Sequence, residues 1–395
     1  MSRLPRPVRL FGFVSLLNDF ASEMIYPLLP AFVTGVLGGG AVSLGALDGA
    51  ADFAAALVKY RAGRLSDRPS RRGPLIILGY AVAVLVRPVI ALTGAAWQVI
   101  GLRVTDRVGK GIRTPPRDAL IADVTPRELH GRAFGFQRAL DHAGAVLGPL
   151  AAWWLLTSHA LDIRGVIAAS IIPGVLVLLL AVWAVKTVGD GRGRKETEGV
   201  NAKQSPLPSP TVPSRPLPPA LVAIIAFYLL RMPETLILLR TQQIGHSVTS
   251  VLLLWAALHV VRSSSSVVGG ALSDRMGPSR TMWLGWLSYA AIAFGFARAS
   301  GPGVVWLLFL AFGLVAGLTE SPERALVSSL AGSKQGTGFG VYHGATGVAA
   351  LAGGILLGVA YQSGSSGLAF LLSAGAAAAL TLSWPLVSRS IPSTR

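Results

Sequence analysis

Asp19 and Glu23 stand four residues apart inside an otherwise apolar stretch, and Asp48 and Asp52 repeat that spacing further on. On a helix each pair shares one face. A carboxyl group that moves between dry surroundings and the neighbourhood of an arginine gains and loses a proton, so such pairs are suited to carrying protons. Asp19 and Glu23 are the first candidates for that work, with Asp48, Asp52 and Asp141 behind them. A second set mixes signs: Arg103, Asp106 and Arg107; then Arg231, Glu234 and Arg240; then Glu320, Glu323 and Arg324. Residues of this kind are suited to lining a polar path for a charged or polar solute, and the rings of Tyr26, Phe227, Tyr228, Trp255 and Tyr342 to shaping an organic-solute site or to anchoring at the membrane interface. The alternative for every charged group is a static ion pair between helices. Asp141-His142 is the one adjacent pair that resembles an acid–base couple, and a structural hydrogen bond is its plainer reading. His259 and His343 are isolated. There is no cysteine, so neither disulfide, thiolate nor cysteine–metal chemistry is available, and no metal site or cofactor is expected.

The elements that must position these groups are apolar helices. Of the 395 residues, 52% are hydrophobic and 13% charged, about half the charge of a soluble domain. Stretches of about 20 apolar residues suffice to cross a bilayer. Twelve candidate spans follow, at 10–34, 41–62, 73–93, 96–122, 132–157, 165–186, 218–242, 249–272, 280–298, 303–330, 337–361 and 366–387. An ion at the centre of such a span costs about 2.5–3.5 kcal/mol on insertion scales, so each charge needs a partner or water. The net charge of +17 is not a nucleic-acid signature, because the basic residues fall in alternate connections. Arg3, Arg6 and Arg9 precede the first span, Arg64 to Arg72 follow the second, and Arg275 and Arg280 follow the eighth. The connections between, such as Gly38-Gly39-Gly40, are uncharged. Basic loops stay inside, so both termini are expected in the cytoplasm of a cell whose inner membrane holds the chain. The first span resembles a signal peptide, but Asn18, Asp19 and Glu23 interrupt it, and retention is expected.

The chain also repeats itself. Gly63-Arg64-Leu65-Ser66-Asp67-Arg68 returns as Gly270-Ala271-Leu272-Ser273-Asp274-Arg275, and Pro116 to Leu120 returns as Pro322 to Leu326. Gly131 to Gly135 then meets Gly336 to Gly340. Three matches in one order imply duplication, the usual construction of secondary transporters, with the path between the halves. The expected domains are 1–186, a bundle of six helices; 187–217, a flexible cytoplasmic linker rich in Pro, Ser and charge; and 218–395, a second six-helix bundle. Between spans 4 and 5, Thr125-Pro126-Arg127-Glu128 reads as a helix start capped by Thr125.

Gly63 to Arg72, with Asp67, Arg68 and Arg71, resembles the loop signature between helices 2 and 3 of the major facilitator superfamily. Its second copy includes Gly270, Asp274, Arg275 and a later glycine, Gly277, where the first copy has Ser70. The resemblance implies an all-helical membrane protein of two pseudo-symmetric six-helix bundles, and a latch on the cytoplasmic gate for Asp67 and Asp274. Gly63 is expected to permit close helix approach. In span 5, Gly135, Gly144, Gly148 and Pro149, with Ala152 in place of a last glycine, resemble the antiporter motif of drug-exporting branches. Small residues there would let helices pack closely. Asp106 to Leu120 is similar to a signature of a poorly characterised prokaryotic branch of the same superfamily. In that superfamily helices 1, 4, 7 and 10 line the cavity, and these four spans hold many of the buried charges. The resemblance implies a proton-coupled exporter of a small organic solute that works by alternating access. Uptake or facilitated diffusion of an anionic metabolite is the alternative, and a lipid-handling polytopic enzyme the remote one. The partners expected are the small-molecule substrate, protons and the lipid bilayer around a monomer, not nucleic acid.

Overall fold

The computed structural model describes residues 4–66, 69–126, 130–195, 217–331 and 335–389, and all of the regular structure in them is helical. The first six-helix bundle comprises α1 (Arg6–Glu23), α2 (Ala41–Ser66), α3 (Pro69–Val89), α4 (Ala96–Val124), α5 (His130–Thr157) and α6, which breaks at Ser170 into α6a (Ile163–Ala169) and α6b (Ile171–Lys195). The second begins with α7, also broken, as α7a (Pro219–Leu230) and α7b (Glu234–Gln243). It continues with α8 (Val248–Met276), α9 (Pro278–Arg298), α10 (Pro302–Ala331), α11 (Gln335–Ser363) and α12 (Ser366–Ser388). By length and composition, eight segments are apolar enough to cross a membrane. α4 is not among them, because it carries charges along its length.

Besides α6, two expected spans are not continuous helices. After Glu23 the chain passes through short helical turns at Tyr26–Leu28, Leu29–Ala31 and Phe32–Val36. Pro27 and Pro30 each remove a ladder donor there. In α7 the break at Arg231-Met232-Pro233 has the same cause. Its freed groups are satisfied from other helices: the Met232 N–H donates to the Tyr289 hydroxyl at 2.6 Å, and Ser373 Oγ donates to the Leu230 carbonyl at 2.6 Å.

One further expectation is corrected. α6b runs to Lys195, so the stretch that opens the expected linker is helical; 196–216 lie outside the described residues. Thr125 borders 127–129, where the expected helix start falls. It ends α4 in an extended conformation, and its hydroxyl donates back to the Ile121 carbonyl at 2.6 Å. Arg127 and Glu128 lie outside the described residues.

The bundles meet along α2 with α11 and along α5 with α8. The α2–α11 contact is a glycine seam. A Cβ on Gly45 would overlap the Gly354 carbonyl, one on Gly49 the backbone of Ala350 and Leu351, and one on Gly358 the backbone of Ala41 and Val42. These positions lie in the half of the molecule away from the chain termini, here called the far half. The Val42 N–H also donates to Gln362 Oε1 there, at 3.3 Å.

Candidate functional site: a charged cavity between the bundles

On the terminal side of that closure lies a cavity of about 390 Å³. Its walls come from α1, α2 and α4 of one bundle and from α7, α8, α10 and α11 of the other. Of the residues singled out by sequence, Glu23, Tyr26, Asp48, Asp52, Arg103, Arg107, Arg231, Glu234 and Glu320 line it. Lys110, Tyr228, Trp255, His259 and Arg262 complete the charged and aromatic lining. Lys110 continues the Arg103–Arg107 face of α4 by one further turn, and that spacing was present in the sequence.

The charges fall into two kinds. Some are clasped in ion pairs. Asp106, 1% exposed behind the cavity wall, accepts from Arg87 Nε at 2.9 Å and Arg103 Nη1 at 3.4 Å. Glu234 lies 2.5 Å from Arg262 Nη2 and 3.8 Å from Arg231 Nη2. The Arg103 guanidinium also covers the Tyr26 ring, 4.8 Å from its centroid.

Others are carboxylates held by neutral donors. Glu23 Oε2 accepts from Trp255 Nε1 of the other bundle at 2.9 Å, with His259 Nε2 3.8 Å away, so His259 is not isolated. Asp48 Oδ1 accepts from the Tyr26 hydroxyl at 3.0 Å. Its Oδ2 accepts from the other bundle's Thr235, from the backbone N–H at 3.1 Å and the hydroxyl at 2.9 Å. Glu323 accepts from Tyr342 at 3.0 Å and Tyr228 at 3.2 Å.

Several candidates lie elsewhere. Glu323, expected in the cavity, is 1% exposed and sits behind Tyr228, which alone of its partners lines the space. Arg240 is turned to the far end of α7b, where its guanidinium donates to the Ala299 carbonyl at 3.0 Å. Phe227 stacks on Trp286 in the core of the second bundle. Asp19 is not part of the lining; it accepts from Asn18 Nδ2 at 2.9 Å. Asp141 is not part of this lining either; it accepts from Gln137 Nε2 and lies 4.0 Å from Arg138.

The static attachment of α1 uses neutral acceptors rather than ion pairs. The Asn18 carbonyl accepts from Arg87 at 3.1 Å and its side-chain oxygen from Arg113 at 3.1 Å, while Ser15 Oγ accepts from Gln137 at 2.9 Å. α1 is pinned at Ser15 and Asn18, next to Asp19 and one turn before Glu23.

The motif glycines divide by position. A Cβ on Gly144 would overlap the Leu16 carbonyl, and one on Gly148 the Phe20 carbonyl, so these two press α5 onto α1 directly behind Asp19 and Glu23. Pro149 lies inside α5, and Gly135 faces open space. Gly63 meets only Pro115 at an ordinary 4.0 Å and Gly270 meets nothing, which corrects the expectation of close approach there. The close approach in the second copy belongs to Gly269, against Gly317. Gly277 has φ +88 between α8 and α9, a conformation that needs glycine, whereas Ser70 is already inside α3. The serine at that place in the first copy therefore costs nothing. Arg71 and Arg275 are exposed. Arg72 is buried, donates to the Ser66 carbonyl at 2.7 Å and pairs with Asp123 at the end of α4. Asp67, Arg68 and the side chain of Asp274 lie outside the described residues.

Comparison with known proteins agrees with this architecture. An uncharacterized MFS-type transporter of Methanocaldococcus jannaschii is 29% identical over 368 residues, covering 91% of this chain and 89% of its own. A multidrug resistance protein, MdtH, of Photorhabdus laumondii is 29% identical over 144 residues, 36% of each chain. The crystal structure of a POT family transporter in complex with a thioalcohol-conjugated peptide superposes with a TM-score of 0.78 at 11% identity, covering 98% of this chain and 97% of that one. That likeness is one of fold. The model of the Major Facilitator Superfamily matches residues 11–354, and with two helical bundles around a polar cavity the chain is a membrane transporter belonging to that superfamily.

Proposed function

We propose that the protein is a proton-coupled exporter of a small, charged or zwitterionic organic solute, working by alternating access. The observation that carries the reading is that Glu23 and Asp48, two carboxylates at one cavity, are held across the bundle interface by neutral donors. When the bundles rock apart those donors leave, so the environment of both carboxylates changes with the conformation, as coupling requires. Asp52 lines the same space, and Asp19 and Asp141 flank the α1–α5 contact that would transmit the movement. The charged lining favours a hydrophilic solute over a lipophilic one. The partial likeness to MdtH and the Gly144–Gly148 packing favour export. The alternate basic connections favour both termini on the cytoplasmic side of an inner membrane. The loops that carry Asp67 and Asp274 would then control inward opening, and residues 187–217 would join the two bundles of a monomer.

The test begins with a thermal-shift screen of hydrophilic metabolites on purified protein. The hit is then presented to proteoliposomes containing a pH-sensitive dye. Solute-evoked proton movement is expected in the unmodified protein and not in the Glu23→Gln, Asp48→Asn double variant. Proton movement of full size in Glu23→Gln, Asp48→Asn and Asp19→Asn alike removes the coupling assignment.

A second reading, transport of an anionic metabolite without proton coupling, is favoured by Arg107 and Lys110. Both line the cavity, and no ion pair to either is present among the described residues. Solute flux unchanged by a collapsed pH gradient, and lost in Arg107→Gln, would establish that reading instead.

A further inference from the structure

The N-terminus of α7b lacks a cap of its own. A helix leaves its first N–H groups unpartnered, and Ser, Thr, Asp or Asn immediately before it usually accepts from one of them. Here that position is Pro233, which has no side-chain acceptor. The acceptor comes from the other bundle: Asp48, in the second turn of α2, takes the Thr235 N–H at 3.1 Å and the Thr235 hydroxyl at 2.9 Å. The same hydroxyl lies 3.1 Å from the Leu44 carbonyl, one turn earlier on α2. Thr235 is fully buried, while Asp48 lines the cavity, so a proton can reach the carboxylate without passing through the packed seam. A negative charge at a helix start is also favoured by the helix dipole.

Asp48 has three donors and only two oxygens. Protonation removes the charge that strengthens all three bonds, and a proton on Oδ2 also takes up a lone pair that the Thr235 donors use. The proton therefore weakens the cap. We infer that Asp48 is the coupling carboxyl of the far-side gate: ionised, it caps α7b from across the interface and holds the bundles together, and protonated, it releases them. By linkage, opening the far side exposes a carboxylate ready to take a proton, and closing it expels that proton. This rests on the proton-coupled reading above and assigns its coupling step to one residue, ahead of Asp19 and Glu23.

The groups facing Asp48 are compatible with this role. Tyr26, in the turns after α1, donates to it. α4 brings Arg103, stacked on Tyr26, and Arg107 to the same cavity. α7b brings Glu234, which Arg231 and Arg262 already engage. Asp52 lies one turn along α2. α11, packed on α2 at Gly49, contributes only apolar and small residues from Gly347 to Gly358.

Because the chain contains no cysteine, spin labels can be placed without first removing any. Val36 and Ser363 are exposed at the far ends of the two bundles. A Val36→Cys, Ser363→Cys protein in nanodiscs, read by pulsed electron spin resonance, should give a short distance at alkaline pH. A longer distance should gain weight at acid pH, its ratio to the short one rising about tenfold, the change expected for losing one charge-assisted hydrogen bond. In Asp48→Asn the distribution should no longer respond to pH. Thr235→Val, which deletes one donor and leaves the backbone intact, should open at a higher pH than the unmodified protein.

A distribution indifferent to pH in the unmodified protein overturns the inference. So does a pH response that survives in Asp48→Asn and disappears in Glu23→Gln, which would move the latch to Glu23. The measurement needs neither solute nor gradient. An Asp48-dependent response without solute-evoked proton movement would sustain the latch and sink the proton-driven reading, and the reverse result would do the opposite.

Discussion

Asp106 is the residue on which most positive charge converges, and it does so out of reach of solvent. Removing one partner of a buried pair leaves the others uncompensated, which costs about 3–5 kcal/mol. Asp106→Asn should therefore lower the thermal unfolding temperature of the purified protein sharply, because Arg87 and Arg103 both lose their counter-charge. Glu320→Gln tests the opposite case. Its partner Arg324 is 3.9 Å away and both side chains are half exposed, so the change should stay within about 1 kcal/mol. Equal destabilisation by the two substitutions would contradict this division of the charges. The sequence made the membrane-embedded charges visible, since each interrupts an apolar stretch. It did not disclose their partners. Arg87 sits on α3, outside every charge cluster that spacing could pick out, and Glu323 looks like Glu320 until burial separates them. The pairings of Trp255 with Glu23 and of Thr235 with Asp48 were unreadable for another reason: indole and hydroxyl groups in apolar helices are common, and only the bundle interface brings these two to carboxylates.

At the scale of helices, the two glycines in the middle of α5 and the one near its start make contrasting predictions. Gly144→Val would drive a side chain into the backbone of α1 at Leu16. Overpacking of this kind typically costs about 1–3 kcal/mol, and a rigid backbone as neighbour places it at or above the upper end. Gly135→Ala meets open space and should be neutral or stabilise α5 by up to about 1 kcal/mol, alanine being the better helix former. Thermal unfolding of the two variants in the same detergent checks the contrast, and loss of fold in Gly135→Ala would refute it. The motif was legible as a pattern, but which of its glycines bears a contact depends on where α1 crosses α5, and spacing does not carry that. The breaks in α7 and after α1 were partly legible in the same sense. Pro27, Pro30 and Pro233 were there to be read, yet a proline in a membrane helix can give a kink as readily as a break. The outcome at Pro233 depends on Tyr289 and Ser373, residues of α9 and α12 that satisfy the freed backbone.

For the molecule as a whole, duplication was the most legible feature, because the three repeated segments fix both the number of bundles and their order. Orientation in the membrane follows from a different asymmetry. The described connections at the far end, 37–40, 93–95, 158–162, 244–247, 299–301 and 364–365, contain no lysine or arginine. Arg6, Arg9, Arg71, Arg72, Arg275, Arg280 and Arg389 lie at the end that carries the termini. Moving basic residues across a membrane is disfavoured, so the terminal end should remain in the cytoplasm and the far end should face outward. Single cysteines report on this without interference, since the chain has none of its own. In intact cells an impermeant maleimide should label Ser158→Cys and Ser300→Cys, and label Ser388→Cys only after the membrane is opened. The reverse pattern would invert the molecule. The glycine seam between α2 and α11 would then close the cytoplasmic side, and a gate held by Asp48 would open inward rather than outward, so this labelling fixes the side to which every conformational statement about the cavity refers.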